Sequence, residues 1–199
     1  MQDFVHLHVH TYYSLLDGQA SIKKLVDKAI ADGMKGMAIT DHGVMFGIKE
    51  FHDYCLEVNG KRKKEGLEPF KPIFGCEMYV ARHGQKEIKD KDDRGGYHLI
   101  VLAKNQNGYR NLIKLVSEAW VDGFYNRPRT DRIDLQKYHE DLIVCTACLA
   151  DVEWTIPCIF LFFNETMIEV HDDSLKHLLG KMDVHSHNKD SAMSLKRKN

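Results

Sequence analysis

The sequence predicts an α/β fold, and two observations support this class. Over residues 1–150, short apolar segments typical of strands alternate with longer segments in which apolar residues recur every three or four positions, as on one face of a helix. The chain has 199 residues, of which 43% are hydrophobic, so it can bury the core of one large domain or of two small ones. Alternating strands and helices indicate a parallel sheet, in which functional residues gather at the carboxyl ends of the strands.

The alternation begins with a short strand. Apolar and His residues alternate over residues 4–9, which predicts that strand. Ser21 provides an N-cap and Gly33 a stop for a helix whose apolar stripe covers residues 22–30. Residues 37–40 form a small buried strand, and apolar positions three and four apart over residues 48–58 predict the next helix.

Three further strands follow, over residues 72–81, 97–103 and 142–145. A stripe that ends at Trp120 predicts a helix between the last two strands. Residues 82–96 mix both charge signs with three glycines, and Ile88 is their only large apolar residue, so a mobile loop is expected. The alternation is lost after residue 150, which divides the chain into a core domain of residues 1–150 and a divergent or truncated tail of residues 151–199.

The net charge argues against an overall basic surface for nucleic acid, and the short apolar runs argue against a membrane-spanning helix. Lys and Arg number 28 against 29 Asp and Glu, a net charge of -1, so any contact with nucleic acid must be local. The longest apolar run, residues 156–163, is far shorter than the roughly 20 residues of a membrane span, and no signal peptide is recognisable. Five Cys, an odd number, favour reduced thiols and a cytoplasmic protein with no membrane partner.

Histidine is the unusual residue of the composition, with 12 copies. His6, His8 and His10 occupy alternate positions of the first predicted strand, so all three would lie on one face. Such a face can bring imidazoles to one metal ion or can simply be solvated, and the triplet alone leaves both readings open. Glu77 is more informative, because a carboxylate within an apolar strand is costly to bury unless it is paired or binds a metal.

Nearly every predicted strand carries a metal-ligating residue near one end, and this pattern predicts a shared metal centre. The further residues of this kind are Asp17, His42, His98 and Cys148. Imidazoles, carboxylates and one thiolate suit Zn, Mn or Fe better than Mg or Ca, and their number exceeds what one metal ion needs. A multinuclear centre of this kind activates water as hydroxide for hydrolysis of a phosphate ester, while amide hydrolysis or deamination stays an alternative.

Several motifs resemble those of the PHP (polymerase and histidinol phosphatase) superfamily, and in particular the N-terminal PHP domains of bacterial replicative DNA polymerase III alpha subunits. The superfamily motifs are HLHVHT (6–11), YSLLDG (13–18) and ITDHG (39–43). The motifs similar to the polymerase group are DHGVMFG (41–47), PIFGCEMYVA (72–81), YHLIVLAKN (97–105) and GYRNLIKLVS (108–117). The resemblance is continuous over residues 1–150.

This resemblance implies a PHP-type distorted (β/α)7 barrel, incomplete after residue 150, with up to three divalent metal ions at the carboxyl ends of the strands. The family's ligands fall on residues that all retain metal-binding side chains, with His6 left as a neighbour: His8, His10, Asp17, His42, Glu77, His98 and Cys148. Members of the polymerase group with intact ligands have metal-dependent 3′–5′ exonuclease (proofreading) activity. The implied substrate is therefore a DNA 3′ end, and the implied partners are the remainder of the polymerase and the replisome.

The tail departs from the family pattern. Its residues 183–192 resemble a family segment that begins Asp-Val-His, so Asp183 and His185 are the implied last ligands; the alternative is a coincidental His-rich tail. The nucleotidyltransferase domains of the family are not recognisable in residues 1–199, so polymerisation by this chain is not expected. Two other functions stay open: a non-catalytic module that supports the polymerase, and a free-standing phosphatase for a small substrate such as histidinol phosphate.

Overall fold

A mixed five-stranded sheet organises the protein. The computed structural model describes residues 4–83, 86–89 and 91–147, together with the backbone of residues 183–185 and 194–196. The strands of this sheet are β1 (Gly36–Ile39), β2 (Lys71–Val80), β3 (Tyr97–Ala103), β4 (Arg129–Thr130) and β5 (Leu142–Thr146). Their order is β1-β2-β3-β5, and β4 pairs with β2 beyond the end of β1. The predicted α/β class is therefore confirmed.

The strand directions differ from those of the predicted parallel sheet. β1 and β4 run parallel to β2, whereas β3 runs antiparallel to both β2 and β5. Parallel neighbours need a crossover connection, which is usually a helix. The described part of the connection from β2 to β3 contains only a short 3-10 turn, Lys91–Arg94, and the chain returns beside β2 in the opposite direction. The expectation of an all-parallel sheet is wrong at β3 for this reason.

Residues 4–9 form an extended segment beside β1, and the prediction of a regular strand there is wrong. Ala38 N donates to His6 O, and Thr40 N donates to Val9 O, each at 2.8 Å. Donors that are two residues apart thus meet acceptors that are three residues apart. The extra residue interrupts a regular ladder, as in a β-bulge.

Four helices flank the sheet in the described part of the chain: α1 (Ile22–Ala31), α2 (Ile48–Lys64), α3 (Gln106–Val121) and α4 (Arg132–Tyr138). The first three confirm the predicted helices, and Gly33, with a φ of 81°, follows the end of α1. The short helix α4 has no counterpart in the sequence analysis. Asn105 and Asp131 cap α3 and α4, because each side chain accepts hydrogen bonds from two backbone N–H groups of the first turn.

The helices bury apolar side chains against the sheet in two main clusters. In one cluster, Val26 of α1 packs with Phe51 of α2. In the other, Leu112 of α3 packs with Met78 of β2. Because side chains alternate between the faces of a strand, Glu77 points to the opposite side of the sheet from Met78. The candidate site lies on that side.

A buried arginine anchors the loop that the sequence predicts to be mobile. Arg129 donates to Gly123 O at 3.2 Å and to Lys86 O at 2.9 Å. Within the loop, the buried carboxylate of Asp93 lies 2.8 Å from His83 Nδ1. These buried contacts count against a mobile loop in its described part.

The described backbone of the tail forms a separate two-stranded antiparallel sheet of β6 (Asp183–His185) and β7 (Ser194–Lys196). Closure of a (β/α)7 barrel and the division of the chain at residue 150 stay predictions. None of the helices in the described ranges has the length and apolar character that a membrane span requires.

Candidate metal centre

The buried carboxylate of Glu77 stands between four imidazoles. Glu77 lies in β2 and is 2% exposed. Its Oε2 lies 2.7 Å from His8 Nε2 and 3.2 Å from His10 Nε2. Its Oε1 lies 2.8 Å from His42 Nδ1 and 3.2 Å from His98 Nδ1. Each oxygen faces two imidazoles, an arrangement in which one carboxylate can bridge two metal ions.

His8 and His10 bring a compact set of ligand atoms to Glu77. Their Nε2 atoms are 2.9 Å apart, and both lie beside Oε2 of Glu77. Ligands at about 2.0–2.1 Å from a tetrahedral metal ion are about 3.3 Å from one another. The separations of 2.7, 2.9 and 3.2 Å among these three atoms are shorter than that value, so small outward shifts of the side chains would make room for an ion between them. The donor set therefore fits a divalent metal ion that accepts nitrogen and oxygen ligands.

Ser14 fixes the tautomer of His10. The Ser14 hydroxyl donates its only proton to Asp41 Oδ1, at 2.6 Å. His10 Nδ1 lies 3.0 Å from Oγ of Ser14, whose only proton is already donated, so Nδ1 must be the protonated nitrogen that donates to Ser14. Nε2 is then the His10 nitrogen that faces Glu77, and it would bind a metal ion in exchange for the proton that it donates to Glu77.

His42 connects Glu77 to Asp17. His42 follows β1 and forms an isolated parallel bridge with Glu77. Its Nε2 lies 2.7 Å from Oδ2 of Asp17, whose side chain is 62% exposed on the loop after residue 14. The His42 ring also stacks on that of His10, with a centroid separation of 4.0 Å. Asp17 and His42 thus extend the cluster from its buried centre to the surface.

The imidazoles shift the proton affinities within the cluster. Burial alone would raise the pKa of Glu77, but the hydrogen bonds with His10, His42 and His8 outweigh it and hold that pKa well below its usual range. The hydrogen bond to Glu77 raises the pKa of His42 despite its partial burial, and Asp17 adds to the rise. The cluster therefore keeps Glu77 ionised, which is the state that a carboxylate needs to bind a metal ion.

Asp41 supports the cluster from behind, and the sequence analysis did not select it. It is 2% exposed, and its carboxylate accepts hydrogen bonds from Thr11 N at 2.7 Å and from Thr11 Oγ1 at 2.9 Å, besides that from Ser14. It ties the loop that follows His10 to the end of β1. The sequence does contain a signal for this role. Asp41 directly follows a buried strand, and a carboxylate in that position needs hydrogen-bond partners, as Glu77 does.

The structure brings together six of the predicted ligands: His8, His10, Asp17, His42, Glu77 and His98. His6 instead packs edge-on against Phe4, with ring centroids 4.7 Å apart. Cys148 lies outside the described residues, as do the side chains of Asp183 and His185, whose backbone belongs to β6. The assignment of all nine residues as metal ligands stays a prediction.

Comparisons with known proteins agree on one family. The sequence profile of the PHP domain matches residues 6–187. The DNA polymerase III subunit alpha of Borreliella burgdorferi is 48% identical over 148 residues, which are 73% of this chain and 12% of that protein. The same subunit of Treponema pallidum is 41% identical over 178 residues, or 89% of this chain and 14% of that protein. The chain thus spans about an eighth of the length of these curated relatives.

Two solved structures are similar at a lower level. One is a protein from Bifidobacterium adolescentis assigned as a metal-dependent phosphoesterase, with a TM-score of 0.35. The other is an amidohydrolase from Chromobacterium violaceum with bound sulfate and no metal, with a TM-score of 0.37. Each is 20% identical to this chain, and each match covers 58% of this chain and 32% of the other.

Proposed function

Because this chain belongs to the PHP domain family and matches the PHP region of DNA polymerase III alpha subunits, we propose that it is a metal-dependent phosphoesterase that hydrolyses the 3′ end of single-stranded DNA. The observation that carries the proposal is the placement of Glu77. Its carboxylate is 2% exposed, and each oxygen contacts two imidazoles. A buried carboxylate with such neighbours is suited to bind cations, because burial without a charged partner would be costly.

Three groups of residues would hold the metal ions. His8, His10 and Oε2 of Glu77 form the first set, and Oε1 of Glu77 with His98 begins the second. Asp17 and His42 begin the third. The resemblance to the family adds Cys148, Asp183 and His185 to complete these sets. Bound divalent metals of this kind, Zn, Mn or Fe, lower the pKa of water to make a nucleophile at neutral pH and stabilise the charge of a phosphoryl group.

The residues around the ligands orient them. Ser14 holds the proton of His10 on Nδ1 and so directs Nε2 to the metal ion. Asp41 holds Ser14 and the backbone of Thr11 in place. Imidazoles contact both oxygens of Glu77, which restricts its rotation and would keep both oxygens available to metal ions.

The biological setting that we propose is DNA replication. The relatives named above are alpha subunits of DNA polymerase III, so we propose that this chain acts with the remainder of such a polymerase and with the replisome, as a proofreading 3′–5′ exonuclease. We propose the cytoplasm as its location, where the free thiols of Cys55, Cys76 and Cys145 would remain reduced. We expect no polymerase activity from this chain.

The test is hydrolysis of 5′-labelled single-stranded DNA after removal of metals with a chelator and reconstitution with Zn, Mn or Fe. Elemental analysis of the same samples gives the metal content. We expect products that shorten from the 3′ end, and loss of both metal and activity in Glu77→Gln. The matched control is Glu118→Gln, because Glu118 binds Tyr138 and Lys137 outside the cluster.

The other functions predict different results. A protein that holds its metals and hydrolyses no substrate would be a structural module. One that hydrolyses a small phosphomonoester and not DNA would be a small-molecule phosphatase. Activity on DNA that survives both the chelator and Glu77→Gln would place the site elsewhere.

A further inference from the structure

Arg127 lies close to the candidate metal centre, because the strand that follows it, β4, pairs with β2 just beyond Glu77. β1 pairs with β2 up to Phe74, His42 bridges to Glu77, and β4 pairs with Tyr79 and Val80. β3 occupies the other edge of β2 over residues 75–80. β4 therefore follows His42 along one edge, and the turn that precedes β4 lies beside the ligands.

The guanidinium of Arg127 lies over the ring of Tyr79, 4.7 Å from its centroid. Tyr79 is buried and packs edge-on against His98, with centroids 5.1 Å apart. The Tyr79 ring also lies nearly parallel to the ring of His42, with centroids 6.3 Å apart. Arg127 itself is exposed. One aromatic ring thus separates a solvent-exposed guanidinium from two of the predicted metal ligands.

The turn that presents Arg127 is firmly anchored. Tyr125 N donates to Arg127 O at 3.0 Å, and Asn126 adopts a φ of 62° at the tip. The next residues contact the loop of the metal centre, because a Cβ on Gly43 would lie 2.6 Å from Pro128 Cγ. Arg129 then fixes the turn from within the protein. A guanidinium on such a turn is pre-organised for an anion.

A stacked aromatic pair precedes this turn in the chain, with Trp120 in the last turn of α3 and Phe124 in the segment that follows the helix. Trp120 and Phe124 are 43% and 53% exposed, and their rings stack with centroids 5.4 Å apart and an interplanar angle of 20°. Trp120 Nε1 donates to Gly43 O at 2.8 Å, directly after His42. The polar atom of Trp120 is therefore satisfied by the loop of the metal centre, while both residues of the pair stay partly exposed to solvent.

We propose that Arg127 and the Trp120–Phe124 pair form a subsite for single-stranded DNA, in which Arg127 binds a backbone phosphate and the aromatic pair stacks on a base. This inference rests on the proposed function and names the residues that would hold its substrate. A guanidinium matches phosphate geometry, and bases stack on exposed aromatic rings whatever their sequence. With a net charge of -1, the chain needs such a local cation to hold a polyanion.

The test is binding of a fluorescein-labelled oligothymidylate with phosphorothioate linkages, measured by anisotropy over a series of salt concentrations. Arg127→Ala is expected to weaken binding and to reduce the slope of log K against log salt by about 0.7, the value for one phosphate of a single strand. Phe124→Ala is expected to weaken binding about 10-fold with an unchanged slope, because stacking involves no ion release.

Matched controls use similar residues on other surfaces. Arg82 is also exposed and lies over a tyrosine, 5.1 Å from the ring centroid of Tyr97. Tyr97 pairs with Val80, one position from the Tyr79–His98 pair, so it faces the other side of the sheet. Arg82→Ala and Leu67→Ala, at an apolar residue that is 49% exposed, are expected to bind like the unmodified chain.

The outcomes separate this subsite from the proposed function. Unchanged affinity and slope in Arg127→Ala, or an equal loss in Arg82→Ala, would overturn the subsite. Unchanged DNA binding in Phe124→Ala would overturn the stacking role of the aromatic pair. Hydrolysis of bis-p-nitrophenyl phosphate by each variant reports on the metal centre alone. If the unmodified chain hydrolyses that ester and does not bind the oligonucleotide, the subsite fails while the phosphoesterase stands.

Discussion

The exchange of Asp41 for Asn tests whether the metal centre depends on residues behind its ligands. Asp41 binds no predicted metal ion itself. Its carboxylate accepts three hydrogen bonds, from Thr11 N, Thr11 Oγ1 and Ser14 Oγ, at 2.7, 2.9 and 2.6 Å. Asn preserves the shape and can keep the two bonds at Oδ1. It replaces the other oxygen by an N–H group that faces the hydroxyl of Thr11.

The expected loss of stability follows from the change in these bonds. A hydrogen bond to a charged group contributes about 1.5–3 kcal/mol and one between neutral groups about 0.5–1.5 kcal/mol, so each of three bonds weakens by about 1 kcal/mol. Relief from burying a charge offsets part of the sum, and we expect a loss of about 2 kcal/mol in the free energy of unfolding. The looser Ser14 no longer fixes His10, and the loss of a residue that orients a metal ligand weakens metal binding about 10- to 100-fold.

Urea unfolding and competition for Zn with a chromophoric chelator measure the two effects on the same samples. Asp93→Asn is the matched control, because Asp93 is also buried and binds His83 away from the metal centre. We expect that control to lose stability and to retain metal affinity. The reasoning is refuted if Asp41→Asn binds Zn as tightly as the unmodified chain, or if Asp93→Asn loses as much affinity.

Four further predictions concern stability and the metal centre. Chelation is expected to lower the free energy of unfolding by about 2.7 kcal/mol relative to metal at 100 times its Kd; equal urea midpoints with and without metal would contradict metal binding. Arg129→Lys is expected to cost about 2–4 kcal/mol, because an ammonium cannot reach the carbonyls of both Gly123 and Lys86; a urea midpoint within error of the unmodified chain would refute this. Burial raises the pKa of Cys55 from 9.0 to about 12, so the unfolded chain loses its proton first, and stability should hold below pH 9 and fall as the pH rises toward 12; Cys55→Ala should flatten that decline. Asp183→Asn is expected to reduce metal content only if the tail completes the site, and unchanged metal content would remove Asp183 from the ligands.

The first three helices could be predicted because apolar spacing and end signals involve residues that are close together in the chain. The apolar spacing of α1 and its stop at Gly33 depend on residues within three turns of one another. The loop of residues 82–96 shows the limit of such signals. One of its buried contacts is made by Arg129, which lies more than thirty residues later in the chain and donates to Lys86 O. No composition of the loop itself reveals that partner.

The role of Asp41 escaped sequence analysis for a similar reason. Its type and its position after a buried strand are visible in the sequence, but its partners Thr11 and Ser14 lie 30 and 27 residues earlier. A pattern of ligand types selects residues that can bind metal. It does not select the residues that orient those ligands, since their role exists only through contacts made in the fold.

His98 lies beside Glu77, as the sequence predicts, although the predicted direction of its strand is wrong. In an all-parallel sheet, His98 at the amino end of its strand would lie far from the carboxyl ends of β1 and β2. Because β3 runs antiparallel, His98 pairs with Tyr79 near the carboxyl end of β2, and its Nδ1 comes within 3.2 Å of Glu77. β5 in turn runs antiparallel to β3, and its last residue, Thr146, pairs with Leu99 beside His98. The antiparallel direction of β3 therefore brings its amino end to the same end of the sheet as the carboxyl ends of β1, β2 and β5. Side chains from distant parts of the chain can meet at that end.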